Sequence, residues 1–406
     1  MGALLLVALA PLIAASPIAQ EQAPGQALLD TPYRVLVCAE SADEVVQIAF
    51  DGVTASVERV HTVGSLPTEI EGPHGLGVDP SGDAWYVTLA HGLPYGSLLK
   101  MDVVSGDVLG TCELGLFPAT LCVSPDTGLL YCVNFDLHGD MSPSDVSIVD
   151  PEEMVEVGRT VVGAMPHGSR LAPGGDRLFV CSMMDGTLVE LDGLRFEVRR
   201  SLSLEPRPSA AELAAQLEAK RAAEAAGRPV PIGPDHDHTG RLPRRTGRTD
   251  GPEEASAPDH GITKPTWAAP SPVAPFVYVC LNGASEVVEV DTLRWAVTRR
   301  FATGKAPYNA DVTADGKTLV VTYKGAQQIG VWDLASGSER ARIEASAPVP
   351  HGVVTSPDSA YAFVSNENRG SAPGTLDVID LRSGRRVATA AVGLQAGGIA
   401  LLPRRK

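Results

Sequence analysis

The stretch "GPHGLGVDPSGDAWYVTLA", Gly72 to Ala90, returns in outline as "MPHGSRLAPGGDRLFVCSM", Met165 to Met183, and as "VPHGVVTSPDSAYAFVSNE", Val349 to Glu367. Each copy runs from Pro-His-Gly through a short apolar segment and a turn of Pro, Gly, Ser and Asp into a second apolar segment. The unit begins near Pro73, Pro118, Pro166, Pro265, Pro307 and Pro350, and its second segment reads AWYVTLA, LLYCVNF, RLFVCSM, FVYVCLN, TLVVTYK and YAFVSNE. A third segment ends in Asp ("LLKMD", "VSIVD", "LVELD", "VVEVD", "IGVWD", "LDVID"), and a fourth follows a short turn. Alternating β-branched and aromatic residues between turn residues read as strands. Four short strands repeating every ~40 to 45 residues is the pattern of a β-propeller blade.

Six units are complete, and the chain ends supply a seventh. "YRVLVCAES", "EVVQIAFDG" and "SVERVHTVG" read as strands two to four of a blade without its first, and "LQAGGIALLP" reads as a first strand without followers. Pairing them closes the ring and removes two open sheet edges. The sequence therefore predicts an all-β, seven-bladed propeller of four-stranded antiparallel blades, closed by a C-terminal inner strand.

The strands "YVCLN", "LYCVN" and "FVSNE", with "SPDS" or "ADGK" ahead and "VIDLRSGR" behind, resemble the YVTN-type β-propeller repeats of exported bacterial and archaeal proteins, within the lactonase and streptogramin-lyase-like group. "GVWDLASG" is similar to a WD40 blade, although the Gly-His pair of such blades is not systematic. The resemblance covers nearly all of Tyr33 to Pro403 except one insertion. It implies the fold and export, and leaves activity open among lactonases, metal-dependent lyases, haem-binding domains and binding modules.

The 406 residues are 44% apolar, enough for a large core, and 41 Gly with 32 Pro favour strands and turns over long helices. A formal charge of −16 argues against nucleic acid or an anionic membrane surface as partner. Small molecules, cations or proteins remain. Residues 1–20 read as a signal peptide, and no later segment is long and apolar enough to span a bilayer. The mature chain is expected to be a periplasmic or secreted monomer. Of six cysteines, Cys122 and Cys132 flank one hairpin turn and are candidates to meet. Cys38, Cys181 and Cys280 share one strand position and read as small packing residues.

Residues 31–205 carry blades one to four and 263–403 carry blades five to seven. Between them 206–262 does not fit the repeat. Ser209 with Glu212 forms a capping box that opens a predicted helix over 209–226, with a narrow stripe of Leu213 and Leu217. The rest is rich in Pro, Gly and charge and reads as a flexible loop. It holds a "DHDH" run, Asp235 to His238, and a basic cluster of Arg241, Arg244, Arg245 and Arg248, which suits an anion or an acidic partner.

First strands line a propeller's channel, so each Pro-His-Gly sits at one mouth. The equivalent positions align as His74, Ala119, His167, Thr266, Tyr308, His351 and Ala396, which brings three imidazoles to one funnel. His91 and His138, in loops between strands two and three, and His236, His238 and His260, in the insertion, map to the same face. Three imidazoles leaving open positions suit zinc, copper or iron. The expected catalytic residues are His74, His167 and His351, and the expected metal ligands are these with His91 and His138. Glu71, Glu367 and Asp136 are candidate carboxylates. Equally, each His can donate to a backbone carbonyl of the neighbouring blade, or act as a general base without metal. Arg170, Tyr308, Asn309 and Glu367 are expected ligand-binding residues, and Lys264 and Lys305 are further candidates for an anion. Arg170 is expected to pair with Asp311 across the channel, and Tyr95 and Trp267 form an aromatic wall or merely pack.

Two functions follow. One is a His-lined, metal-assisted small-molecule site acting as lyase, hydrolase or oxidoreductase. The other is a binding or scaffolding propeller acting through protein contacts. Motifs for serine hydrolases, zincins, nucleotide loops and EF-hands are absent.

Overall fold

In the computed structural model, residues 28–65, 68–137, 142–206, 218 and 263–404 are described. The leader at 1–20, the helix at 209–226 apart from residue 218, the "DHDH" run, the basic cluster, and His138, His236, His238 and His260 lie outside the described residues.

Seven four-stranded antiparallel sheets form a ring. The first strand of blade one is Ala396–Leu402, hydrogen-bonded to Tyr33–Ala39 with Arg34 opposite Leu402 and Val37 opposite Ile399. The first strands of blades two to seven are Pro73–Val78, Pro118–Val123, Pro166–Leu171, Pro265–Pro270, Pro307–Val312 and Pro350–Thr355. Second strands are buried throughout, as Ala84–Leu89 shows, whereas fourth strands such as Ser338–Glu344 alternate exposed and half-buried residues. Each neighbouring pair of blades shares its own apolar core. The ring is thus held by seven similar interfaces rather than one central core.

Two local devices recur. At the end of each third strand in blades two to seven an aspartate (Asp102, Asp150, Asp192, Asp291, Asp333, Asp380) accepts backbone N–H groups two or three residues on, at 2.7–3.3 Å. This explains the Asp of the repeat, since a short carboxylate satisfies a tight turn's donors. At the start of every first strand the residue before Pro (before Ala396 in blade one) has a left-handed backbone: Gly72, Phe117, Met165, Lys264, Ala306, Val349 and Gln395, with φ between 48° and 66°. A break in pairing register with the second strand follows in all seven blades. The bulge turns the backbone away from its own blade toward the next.

The cysteines are free. Cys122 lies opposite Tyr131 and Cys132 opposite Leu121, so the two thiols leave opposite faces of the hairpin and the expected meeting does not occur. Cys38, Cys181 and Cys280 are fully buried in blade interfaces. Among the described residues no helix is long and apolar enough to cross a membrane.

Candidate functional site: the central channel

The left-handed Gln395 precedes Ala396 as Gly72 precedes Pro73. Ala396 therefore corresponds to the prolines, and the seventh member of the imidazole ring is Gly397, one residue later than the sequence alignment placed it. The glycine of Pro-His-Gly has a contact reason. A Cβ at Gly75 would lie 2.5 Å from the Ala119 carbonyl oxygen, at Gly168 2.2 Å from that of Thr266, and at Gly398 1.9 Å from that of His74. Inner strands of adjacent blades approach too closely there for a side chain. Ser365, from a second strand, donates to the Gly397 carbonyl and Thr322 to that of His351 at 3.1 Å, which fastens neighbouring blades at the same level.

The three imidazoles meet. The His74 ring lies 5.9 Å from that of His167 and 5.8 Å from that of His351, each pair edge-on. Tyr308 stands between the other two, 5.5 Å from His167 and 4.7 Å from His351, and its hydroxyl is 3.0 Å from His167 Nε2. Phe135 packs 4.7 Å from His167 and Phe117 5.2 Å from His74. His167, His351 and Tyr308 are only 2%, 3% and 9% exposed, so these rings close this end of the channel.

Outside this ring lies a second, made by the residue following each second strand: Glu40, Ala90, Phe135, Met183, Asn282, Lys324 and Glu367. Each backbone N–H bonds the carbonyl of its blade's left-handed residue. Glu40 holds His74 Nδ1 at 3.1 Å and His91 Nε2 at 2.7 Å. Burial alone would raise the Glu40 carboxyl, but His74 and His91 outweigh it and hold it at about 2. The His91 imidazole is raised by its bond to Glu40. Gly72 makes room for it, since a Cβ there would fall 1.9 Å from the His91 ring. Across the mouth, Glu367 takes Lys324 at 2.7 Å and lies 3.5 Å from His351 Nε2, while Lys324 sits 4.2 Å over the Tyr308 ring.

Burial, reinforced by neighbouring His74 and Lys324, pushes His167 and His351 well below the ordinary imidazole value. Both are neutral, the form a metal needs. Their nitrogens do not face a common point. His167 Nε2 meets Tyr308, His74 Nδ1 meets Glu40, and Nδ1 of His167 and of His351 faces the next blade's backbone near Thr266 and Gly397 without completing a hydrogen bond. Among the described residues no group of three or more His, Cys, Asp or Glu is arranged to hold a metal ion. As placed, the imidazoles build a packed roof.

Beneath the roof the channel opens into a cavity of about 280 Å³, with His74, His351, Thr120, Trp267, Asn309 and Arg170 among its walls. Thr120, Trp267 and Asn309 stand where other blades carry the glycine of Pro-His-Gly; they are departures from the repeat. Arg170 and Asp311 share a deeper level, and both also line a second opening toward the far face, with Pro173, Pro270 and Pro357. They form no direct ion pair. Arg170 donates to the Ser169 carbonyl at 3.1 Å and stacks 4.9 Å over Trp267, while Asp311 accepts from Thr355 N and Oγ1 at 2.7 and 2.8 Å. Burial lowers the Arg170 guanidinium and raises the Asp311 carboxyl, each partly offset by the other.

Glu71 is bound to Ser65, at the rim, and Lys305 is exposed. Tyr95 is exposed and stands apart from Trp267, which packs against His167 at 5.5 Å and Tyr308 at 6.3 Å. Sequence reading missed Glu40, Lys324, Phe117 and Phe135. Aligning the residues that follow the second strands reveals Glu40, Phe135 and Lys324 as equivalents of Glu367.

No family model matches the chain, and no curated protein matches it in sequence. Solved structures share its architecture. Kuenenia stuttgartiensis hydrazine synthase is 17% identical with a TM-score of 0.58, over 82% of this chain and 91% of that one. A functionally unknown protein from Desulfotomaculum acetoxidans is 13% identical with a TM-score of 0.62, over 92% of this chain and 99% of that one. At these identities the likeness extends to the seven-bladed fold alone.

Proposed function

We propose that this seven-bladed propeller is an exported small-molecule-binding protein of the YVTN-repeat type, whose ligand chamber is the central channel beneath His74, His167 and His351. One observation carries the reading: a cavity closed at one end by aromatic rings and lined by polar side chains the fold does not use. Asn309 Oδ1 and Trp267 Nε1 are buried without a hydrogen-bond partner among the described residues. Buried polar atoms are usually partnered, so two such atoms beside Arg170 on one cavity support a bound group there, while Trp85 Nε1 and Trp295 Nε1 are orphans packed within the blades. In this reading the imidazoles seal the chamber, and the ligand enters from the far face past Arg170 and Asp311. The small-molecule screen that tests it is a thermal-shift comparison of the mature chain with Val354→Trp, which fills the cavity. Hits that vanish in the filled variant support the chamber; hits that persist place binding elsewhere.

The metal reading is favoured by the neutral state of His167 and His351. It requires the rings to turn, releasing Tyr308 and Glu40 from the imidazoles. Elemental mass spectrometry of untagged protein, incubated with zinc, copper and iron salts, decides it: stoichiometric metal lost on His74→Ala with His167→Ala supports it, and none removes it. A protein-binding role has its own observation. The outer strands of blades two and three expose Val108, Leu109, Val155, Val157 and Val161, each about half accessible, where blade six presents Arg340, Arg342 and Glu344.

A further inference from the structure

We infer that the chamber's ligand is a small organic carboxylate, its head on Arg170 and its body against the apolar wall. This rests on the channel being the ligand chamber, and adds the chemical class.

The anionic head follows from the unmet needs of one cation. Arg170 carries five N–H donors in a planar fork. Among the described residues the Ser169 carbonyl is the acceptor it reaches, and the nearest carboxylate, Asp311, is engaged by Thr355. A half-buried guanidinium without a bonded counter-charge keeps donors open toward the channel, and its fork matches a carboxylate's two oxygens. Trp267 under the guanidinium fixes its plane, and a fixed fork loses little freedom on binding.

Two further groups on the same cavity need partners. Trp267 Nε1 is a donor only, and the Asn309 carboxamide, 1% exposed, offers either its oxygen or its amino group. Apart from His74, His351, Thr120 and Cys122, the remaining side chains of the wall are apolar, among them Leu76, Leu121, Val123, Val354, Ile399 and Leu401. That composition fits a carboxylate with a hydrocarbon or ring body better than a bare inorganic oxoanion, which would leave the wall uncovered. The cavity has several times the space one water needs and far less than a polymer requires. An overall charge of −16 makes the outer surface a poor anion collector, so anion selectivity has to come from Arg170, the one Lys or Arg among the described residues lining this cavity.

The test is isothermal titration of the full mature chain with benzoate, propionate, inorganic phosphate, benzyl alcohol and propylamine. Benzoate and propionate are expected to bind and compete, with benzyl alcohol at least tenfold weaker than benzoate. Arg170→Gln should weaken benzoate at least tenfold, and Arg170→Lys less. Asn309→Asp leaves Arg170 in place and sets a second negative charge on the wall; it should weaken benzoate as strongly without weakening benzyl alcohol. Phosphate binding without the carboxylates overturns the organic class. Benzyl alcohol or propylamine binding better than benzoate, and lost in Val354→Trp, overturns the carboxylate while the chamber stands. No binding by any probe overturns both.

Discussion

The two ends of the channel are built from the same first strands and differ in what their side chains have left to do. At the Pro-His-Gly end most groups are committed: His74 to Glu40, His167 Nε2 to Tyr308, glycines to close backbone contact, Ser365 and Thr322 to the next blade's carbonyls, with Nδ1 of His167 and His351 left over. Deeper in, Arg170, Trp267 and Asn309 retain donors and acceptors that meet nothing among the described residues. Repetition marks what every blade needs in order to close the ring. The singular residues, standing where the repeat would put something smaller, mark what the channel can bind.

The sharpest way to break the contrast is at the committed end. Gly398→Val would put a Cβ 1.9 Å from the His74 carbonyl, in the closing strand where blade one meets blade two. No rotamer relieves a Cβ clash with backbone, so a loss of about 3 kcal/mol or more is expected. Loss of soluble folded protein by circular dichroism would confirm it; a native melting temperature would show that the inner strands can part, and the packed roof would fall as an explanation. Next in size is His167→Ala, which removes a buried ring touching Phe135, Trp267 and Tyr308 and should cost about 3 kcal/mol. His167→Phe keeps the ring and should recover most of that, losing about 1 kcal/mol for the Tyr308 hydroxyl. Equal losses for Ala and Phe in denaturant melts would mean that the imidazole nitrogen, not ring packing, is what the roof requires.

Period, turn chemistry and alternation made the blades legible, because each blade repeats the same solution to the same packing problem. The ring of imidazoles was legible for the same reason: His74, His167 and His351 sit at one position of the unit. The one-residue misplacement at Ala396 has a physical cause. The closing strand lacks Pro, and only the left-handed Gln395 marks where it starts. A packing role against the next blade's backbone was legible as one alternative, but the bond that fixes His74 was not, since it depends on Glu40, which acts across to blade two. Nor was the separation of Arg170 from Asp311: equal positions on first strands of blades four and six put them at one level of the channel, not in contact.

A smaller effect tests the hairpin device far from the channel. Backbone N–H groups of Arg195, Arg294 and Ser336 hold the carboxyls of Asp192, Asp291 and Asp333 below the ordinary value of 3.8. With native values depressed, these carboxylates stabilise the fold above the unfolded value, and that contribution is lost as pH falls through the native ones. The melting temperature should therefore drop below pH 4, and less steeply in Asp291→Ala with Asp333→Ala, which also melts slightly lower at neutral pH. An unchanged acid slope would locate the acid-sensitive groups elsewhere, Glu40 first among them.

The smallest expected change is the most telling for the comparison. Arg170→Met keeps an unbranched stem and removes the guanidinium with its charge. If Arg170 served the fold, as His167 does, the substitution would be strongly destabilising. Its half-buried guanidinium instead lacks a bonded counter-ion, and replacing a poorly compensated charge with an apolar side chain is often neutral or stabilising. Asp311 opposes this slightly, since it loses the nearby positive charge that partly offsets its own burial. The sum should lie within about 1 kcal/mol of zero by denaturant melts at neutral pH. A loss as large as that of His167→Ala would make Arg170 part of the scaffold and erase the distinction between the two ends. Near-neutrality would leave a half-buried cation retained in the channel at no benefit to stability, which is how a residue kept for its ligand behaves.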